Sequence, residues 1–216
     1  MKQEKVYILG AGGMGREICV YLDDSGIPVG GFVEQNTRRG GQKLKGTTII
    51  DANDLPDPGN IGLIAGIGSP LRRRWVEELE LRGYRFETLI HKDAYVGDDV
   101  EIGEGCIVCP GVIVTTDVQI GRHCILNVKA SINHDCVLGD FVTISPGATI
   151  GGGVEIGDET WVGIGATIIQ RVKIGKGVFI AAGAVVINDI SDNSLVMGVP
   201  AKVVKQLTPE SWKTLT

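Results

Sequence analysis

The chain has 216 residues, enough for one large domain or two modest ones, either able to bury a core. Glycine is the compositional outlier at 32 residues while aromatics reach only 5%, which with abundant Val and Ile points to many tight turns between short strands. Against 26 acidic residues stand 21 basic ones, for a net charge of −5, and no Lys/Arg run exceeds Arg72-Arg73-Arg74; nucleic acid and anionic membrane surfaces are excluded as partners.

In chain order, Met1 to Lys5 lead into a strand rather than into a signal-type apolar segment, and no stretch reaches the length of a membrane span. A cytoplasmic protein is expected. The run Val6-Tyr7-Ile8-Leu9 predicts a first strand. Gly10-Ala11-Gly12-Gly13-Met14-Gly15 follows, and Arg16 to Asp23 carries Ile18, Cys19 and Leu22 at helical spacing. Strand, glycine loop and helix start make a dinucleotide-type fingerprint. Loop N–H groups at a helix N-terminus favour a phosphate there. A second strand, Val29 to Val33, runs into Glu34, where a ribose-binding acid would stand. A third, Ile61 to Ala65, leads through Gly66-Ile67-Gly68-Ser69 to a helix from Pro70 to Leu81. Residues 1–85 are too few for a full dinucleotide fold, so the expectation is a small Rossmann-like β-α-β-α sheet holding one nucleotide. A nucleoside diphosphate, NAD and a loop that only packs all remain open at this point. The candidate substrate-binding residues are Gly10, Gly12, Gly13, Met14, Glu34, Gly66, Gly68 and Arg73.

From Ile90 the chain places Ile, Val or Leu at every sixth position through Val186, without an insertion. Neither helix nor hairpin has that period. Two residues earlier sits a second small or medium apolar site, as at Cys106, Val112, Cys124, Ala130, Cys136 and Val142; residues two apart on a strand share a face, here the inward one. Glycine often comes next, as at Gly97, Gly103, Gly121 and Gly139, and is expected to supply the corner's backbone angles. Three six-residue faces close one triangular coil, so residues 86–190 form a parallel β-helix with coils about 4.8 Å apart. Residues 191–216 add a C-terminal extension with Gly198-Val199-Pro200-Ala201-Lys202 and a capped helix starting at Thr208-Pro209. The five cysteines are odd in number and unpaired with histidine in any zinc-like spacing; buried reduced thiols and no metal are expected.

His134 lies two residues past inward Ile132, at a turn, and projects outward; Thr116, Gly152, Gln170 and Asn188 stack at the same corner. On its own such a histidine is either ordinary surface or a base. His91 precedes the first full coil and His123 lies on another corner. The glycine loop, Leu89-Ile90-His91-Lys92, Asn133-His134-Asp135-Cys136 and the closing Gly198 to Lys202 carry a resemblance that spans nearly the whole chain. The sequence is similar to the PglD/NeuD-like sugar acetyltransferases, which are hexapeptide-repeat acyltransferases. That resemblance implies a left-handed β-helix, acetyl-CoA as co-substrate, a homotrimer with active sites between subunits, His134 as general base and Asp135 as the acid that tunes it. Imidazole suits that work because it titrates near neutral pH. Gly152, one coil from His134 and without a side chain, is the candidate N–H donor to the developing oxyanion. Coenzyme A is expected along Thr143, Gly152, Gly163, Ala181, Ala182, Gly183 and Lys202, with Lys176 as a further phosphate contact. Met14 stands where many relatives have histidine, Glu34-Gln35 where they have an Asp pair, and Thr143 where some have a second histidine.

The function implied is N-acetylation of an amino group on a nucleotide-linked amino-deoxysugar for surface glycan biosynthesis. The alternative is O-acetylation of a sialic-acid-like sugar at the same site. An NAD-dependent oxidoreductase needs a larger sheet, and a purely structural β-helix needs no outward histidine beneath a glycine.

Overall fold

The computed structural model describes residues 5–35 and 37–215; the expected entry of Met1 to Glu4 into the first strand lies outside them. The chain divides into two units, Met1–Gly68 with Arg72–Thr88, and Ser69–Leu71 with Leu89–Thr216.

The first unit is a six-stranded sheet with flanking helices. Its elements are β1 (Lys5–Leu9), α1 (Gly13–Asp24), β2 (Val29–Glu34), β3 (Lys43–Leu44), β4 (Thr47–Asp51), β5 (Ile61–Ala65), α2 (Arg72–Leu81) and β6 (Arg85–Phe86). The order is β3-β4-β2-β1-β5-β6, parallel throughout except for the β3 edge. Strand β5 is buried along its whole length, as its unbroken apolar run requires of a parallel strand covered on both faces. Helix α1 buries Ile18, Cys19 and Leu22. It starts before the expected Arg16 because the glycine loop forms its first turn, with the Arg16 N–H donating to Gly12 O at 3.2 Å. Strands β3 and β4 escape the sequence reading, since no helical pattern precedes Thr47-Thr48-Ile49-Ile50 to mark a crossover.

The second unit is the left-handed parallel β-helix, built from two-residue strands one coil apart. Its first face stacks Leu89–Ile90, Ile107–Val108, Ile125–Leu126, Thr143–Ile144, Trp161–Val162, Phe179–Ile180 and Ser194–Met197, with Lys202–Gln206 added antiparallel. The second face runs from Tyr95–Val96 to Val185–Val186 and the third from Glu101–Ile102 to Lys173–Ile174. Every six-step position from Val108 to Val186 is at most 4% exposed. Ile90 is 46% exposed, because the first coil has no coil beneath it to cover its core position. The register is 18 residues until the last coil, where Phe179 pairs with Leu195 and Ile174 bridges Ile190, two residues short of a full turn.

The glycines that follow each inward residue serve a different purpose from the one expected. The left-handed corner residue is the third after the inward position, as at Asp117, His123, Asp135 and Arg171. A Cβ on Gly121 would stand 2.6 Å from the Gly139 carbonyl carbon, and one on Gly157 would stand 2.6 Å from Lys176 N. Close coil stacking, not an unusual φ, requires glycine there. All five cysteines are buried and unbridged. Three thiols donate inward across the coil spacing, Cys106 to Gly121 O (3.0 Å), Cys124 to Gly139 O (3.0 Å) and Cys136 to Gly151 O (3.1 Å). The chain closes with α3 (Pro209–Leu215), whose start is capped by the Thr208 N–H donating to Ser211 Oγ at 3.1 Å. Trp212 is buried and tilts onto Phe179, ring centroids 5.6 Å apart.

Candidate active site

The second face turns its corner immediately after Ser131–Ile132. Asn133 anchors the turn, its side-chain amide donating to Ile150 O at 2.7 Å. His134 then projects outward, its side chain 62% exposed. Asp135 has φ +60°, and that left-handed turn swings its carboxylate back so that Oδ2 lies 2.7 Å from His134 Nδ1. On an extended strand the two side chains would point apart. An ionised carboxylate only accepts hydrogen bonds, so in the neutral imidazole this contact selects the tautomer with the proton on Nδ1 and the lone pair on Nε2. The imidazole rests against the next coil at Gly152, where a Cβ would stand 2.5 Å from Cε1 and 2.6 Å from Nε2. The backbone ties the same layers together, with the Gly153 N–H donating to His134 O at 2.8 Å and the Asp135 N–H to Thr116 O at 3.2 Å. The Gly152 N–H makes no hydrogen bond among the described residues. One coil below His134, Thr116 Oγ1 donates to Asp99 Oδ2 at 2.7 Å, and this bond holds the Asp99 carboxyl below its ordinary range.

The other two histidines sit elsewhere. His91 and His123 are 3% and 1% exposed, and His123 stacks on Phe141 with ring centroids 4.8 Å apart. Of the residues expected along coenzyme A, Ala182 and Gly183 are exposed, Ala181 is half-buried and Lys202 is exposed on the antiparallel strand. Two differ from expectation. Gly163 is buried, and a Cβ on it would stand 2.5 Å from Ile180 O, so its small size serves coil stacking rather than an outward groove. Thr143 is 2% exposed, which keeps its hydroxyl off the surface of the chain. Lys176 is exposed and lines a cavity of about 270 Å³ together with Asn193, Thr208 and Trp212. That cavity is missed by sequence reasoning, for which the lone Trp212 in the tail is the only signal. Among the described residues no cluster of His, Cys, Asp or Glu is placed to hold a metal ion, and no helix is long and apolar enough to cross a membrane.

In the first unit the glycines separate into two kinds. A Cβ on Gly15 would stand 2.0 Å from Gly10 O, and one on Gly66 would stand 2.9 Å from Leu9 O. Gly10 takes φ +90° and packs on Ile67. These three let the loop approach β1 and β5 closely. Gly12 and Gly13, by contrast, face open space with nothing within 4 Å of a Cβ, at the N-terminus of α1, where half-buried Met14 follows. Gly68 accepts a hydrogen bond from the buried Arg72 at 2.9 Å. Arg73 pairs along its own helix with Glu77 at 2.7 Å. Glu34 is ion-paired with Arg39 and accepts from Thr37 Oγ1 at 2.6 Å. The Arg39 hydrogen bond holds its carboxyl below the usual range. These contacts tie Glu34 to its own loop at the end of β2.

Residues 5–79 match the PglD N-terminal domain family model, and residues 86–116, 117–152 and 153–188 match the bacterial transferase hexapeptide model (six repeats). Among solved structures, the chain is similar to a perosamine N-acetyltransferase from Caulobacter crescentus, a histidine-to-asparagine mutant in complex with CoA and GDP-perosamine. The identity is 31%, with 93% of this chain and 97% of that chain covered and a TM-score of 0.87. The acetyltransferase domain of PglB from Neisseria gonorrhoeae, in complex with acetyl coenzyme A, is 33% identical over 94% of this chain and 100% of that one, TM-score 0.86. WeeI from Acinetobacter baumannii is 28% identical over 93% and 99% of the two chains, TM-score 0.86. No curated protein sequence matches the chain with significance.

Proposed function

We propose, from the premise that this chain belongs to the PglD/NeuD-like family of hexapeptide-repeat sugar acetyltransferases, that it transfers the acetyl group of acetyl-CoA to the amino nitrogen of a nucleotide-linked amino-deoxysugar. The observation that carries this reading is the His134 imidazole, oriented by Asp135 and seated against Gly152 on an outward corner. The likeness to a perosamine N-acetyltransferase that holds CoA and GDP-perosamine supports it.

The chemistry follows from the tautomer. The amine nitrogen attacks the thioester carbon, and its proton passes to His134 Nε2, the ring nitrogen left unprotonated by the Asp135 contact. The carbonyl oxygen gains negative charge and takes a hydrogen bond from the Gly152 N–H. Collapse of the tetrahedral species breaks the carbon–sulfur bond. The leaving sulfur takes the proton back from the imidazolium, giving an amide and free CoA thiol. Asp135 stabilises the imidazolium in between.

The remaining residues divide by ligand. Gly12 and Gly13, open at the start of α1, receive the nucleotide's phosphate, with Met14 beside them. Ala181, Ala182, Gly183 and Lys202 border coenzyme A. The enzyme works as a homotrimer with sites between subunits, in the cytoplasm, and its product feeds surface glycan assembly. A panel of UDP-, GDP- and dTDP-linked aminosugars with acetyl-CoA, read by free-thiol release and product analysis, tests the reading. One or more aminosugars should yield thiol and an amide. No release with any aminosugar, or an ester product only, would count against it.

A further inference from the structure

At the corner that carries His134, the first residue after the inward position reads Gly97, Thr115, Asn133, Gly151, Ile169 and Ile187 through successive coils. Its N–H donates to the next coil: Thr115 to Ile132 O (3.1 Å), Asn133 to Ile150 O (3.1 Å), Gly151 to Ile168 O (2.8 Å) and Ile169 to Val186 O (3.1 Å). Asn133 alone in this column adds a side-chain bond, its Nδ2 lying 2.7 Å from the same Ile150 oxygen. A carbonyl only accepts, so the amide turns its NH2 toward it. In the coil below, the Thr115 hydroxyl is buried and makes no hydrogen bond. In the coil above, glycine has no side chain to offer. At this position the fold manages with backbone bonds in its other layers, and the added clamp falls on the layer that holds the base.

We propose that Asn133 is a positioning residue for His134, its amide clamping the layer of the base to the layer that seats it. The inference rests on the reading of the site given above. Asn133 immediately precedes His134, and Ile150 stands two residues before Gly152, on whose bare backbone the imidazole rests. On the other side of that contact, the Gly153 N–H donates to His134 O at 2.8 Å. The two attachments bracket the ring's seat, Asn133 to Ile150 before it and Gly153 to His134 after it. The imidazole itself is 62% exposed, and Asp135, which orients it, is exposed at the same corner. Its distance from Gly152 is therefore set through the two backbones, and a looser corner carries the ring with it. A small displacement of a catalytic group is costly in rate. In this role Asn133 acts through the imidazole and contacts neither substrate.

The test is steady-state kinetics on Asn133→Thr and Asn133→Gly, using a nucleotide-aminosugar that the wild type accepts. Threonine copies the coil below and glycine the coil above, so the corner has a precedent for each; thermal melting checks that both variants fold. Each should lower kcat roughly 10-fold, part of the factor of about 10² that a displacement of about 1 Å can cost, with both KM values unchanged. Asn133→Thr combined with His134→Ala should turn over no more slowly than His134→Ala alone, because residues that act as one unit are not additive. A merely structural role would slow the His134→Ala protein as well, so a variant that melts lower is still judged by this comparison. An equal loss on the two backgrounds would overturn the proposal, as would an unchanged kcat in both single variants or a rise in either KM in place of a fall in kcat. A wild type that acetylates no nucleotide-aminosugar sinks the proposed function and this inference together; an active wild type with indifferent Asn133 variants sinks this one alone.

Discussion

His134 is useful as a base only while its ring stays in the place that Gly152 leaves for it. A methyl group at position 152 would overlap Cε1 and Nε2, and the exposed imidazole would swing away from the reacting nitrogen. Displacement of about 1 Å can cost about 10² in rate, so Gly152→Ala should lower kcat by about that factor. Its melting temperature should not fall, because Gly152 is not in the left-handed region. Steady-state kinetics beside thermal melting separates the two effects; an unchanged kcat would contradict this account of the site. Two residues on, burial pushes the Cys136 thiol up, so the neutral form is the one the fold favours. A raised folded value means this stabilisation is complete below the unfolded thiol's range and is lost as pH rises through the folded one. Melting should therefore be flat from neutral pH to about pH 8 and decline above about pH 9, and Cys136→Val should flatten that decline. A melting curve with the same alkaline slope in the variant would argue against it. At this scale the sequence reveals His134, because the six-residue register alone puts it outside. It does not reveal that Asp135 reaches back, which depends on a φ of +60°. Nor does it reveal Glu34's capture by Arg39, since a strand-end acid looks the same whether its partner is a ribose or a nearby arginine.

Single coils are held by contacts that a glycine pattern hints at without explaining. The period marks the faces because each inward position needs an apolar side chain, and burial from Val108 to Val186 meets that need. The reason for the following glycines is a distance between neighbouring backbones, which no single coil's sequence contains. Gly121→Ala should thus act through overlap with Gly139 and cost about 1–3 kcal/mol, as overpacking does. Denaturant unfolding reads this as a lower midpoint with an unchanged slope. The same substitution at Gly12, which faces open space, should leave stability nearly intact; equal losses at both positions would refute the stacking argument. Strands β3 and β4 and the shortened last coil are illegible for a related reason. Their pairing is set by neighbours far along the chain, and Ile174 meets Ile190 only because the closing turn drops two residues.

For the molecule as a whole, the exposed corner is both the asset and the difficulty. With its side chain 62% exposed, His134 in a lone chain stands in water, where a thioester has no wall to lie against. In the homotrimer proposed above, a second chain across the corner would supply that wall, and closed threefold symmetry would supply it three times. Light scattering should give about three times 22.9 kDa; a fully active monomer would contradict this. The fold class and the site corner were readable from residues 90–186 because a solenoid repeats its reasons every six residues. The cavity beside Trp212 was not, because it is built from a tail, a corner and a loop that share no period. The account stands most directly on His134→Ala, assayed by acetyl transfer to a nucleotide-aminosugar with both ligands saturating. It predicts a folded protein that binds acetyl-CoA and sugar as the wild type does, with kcat lowered by roughly 10²–10⁴-fold, the range for a lost general base. A folded His134→Ala protein that forms the amide at near wild-type rate would contradict it.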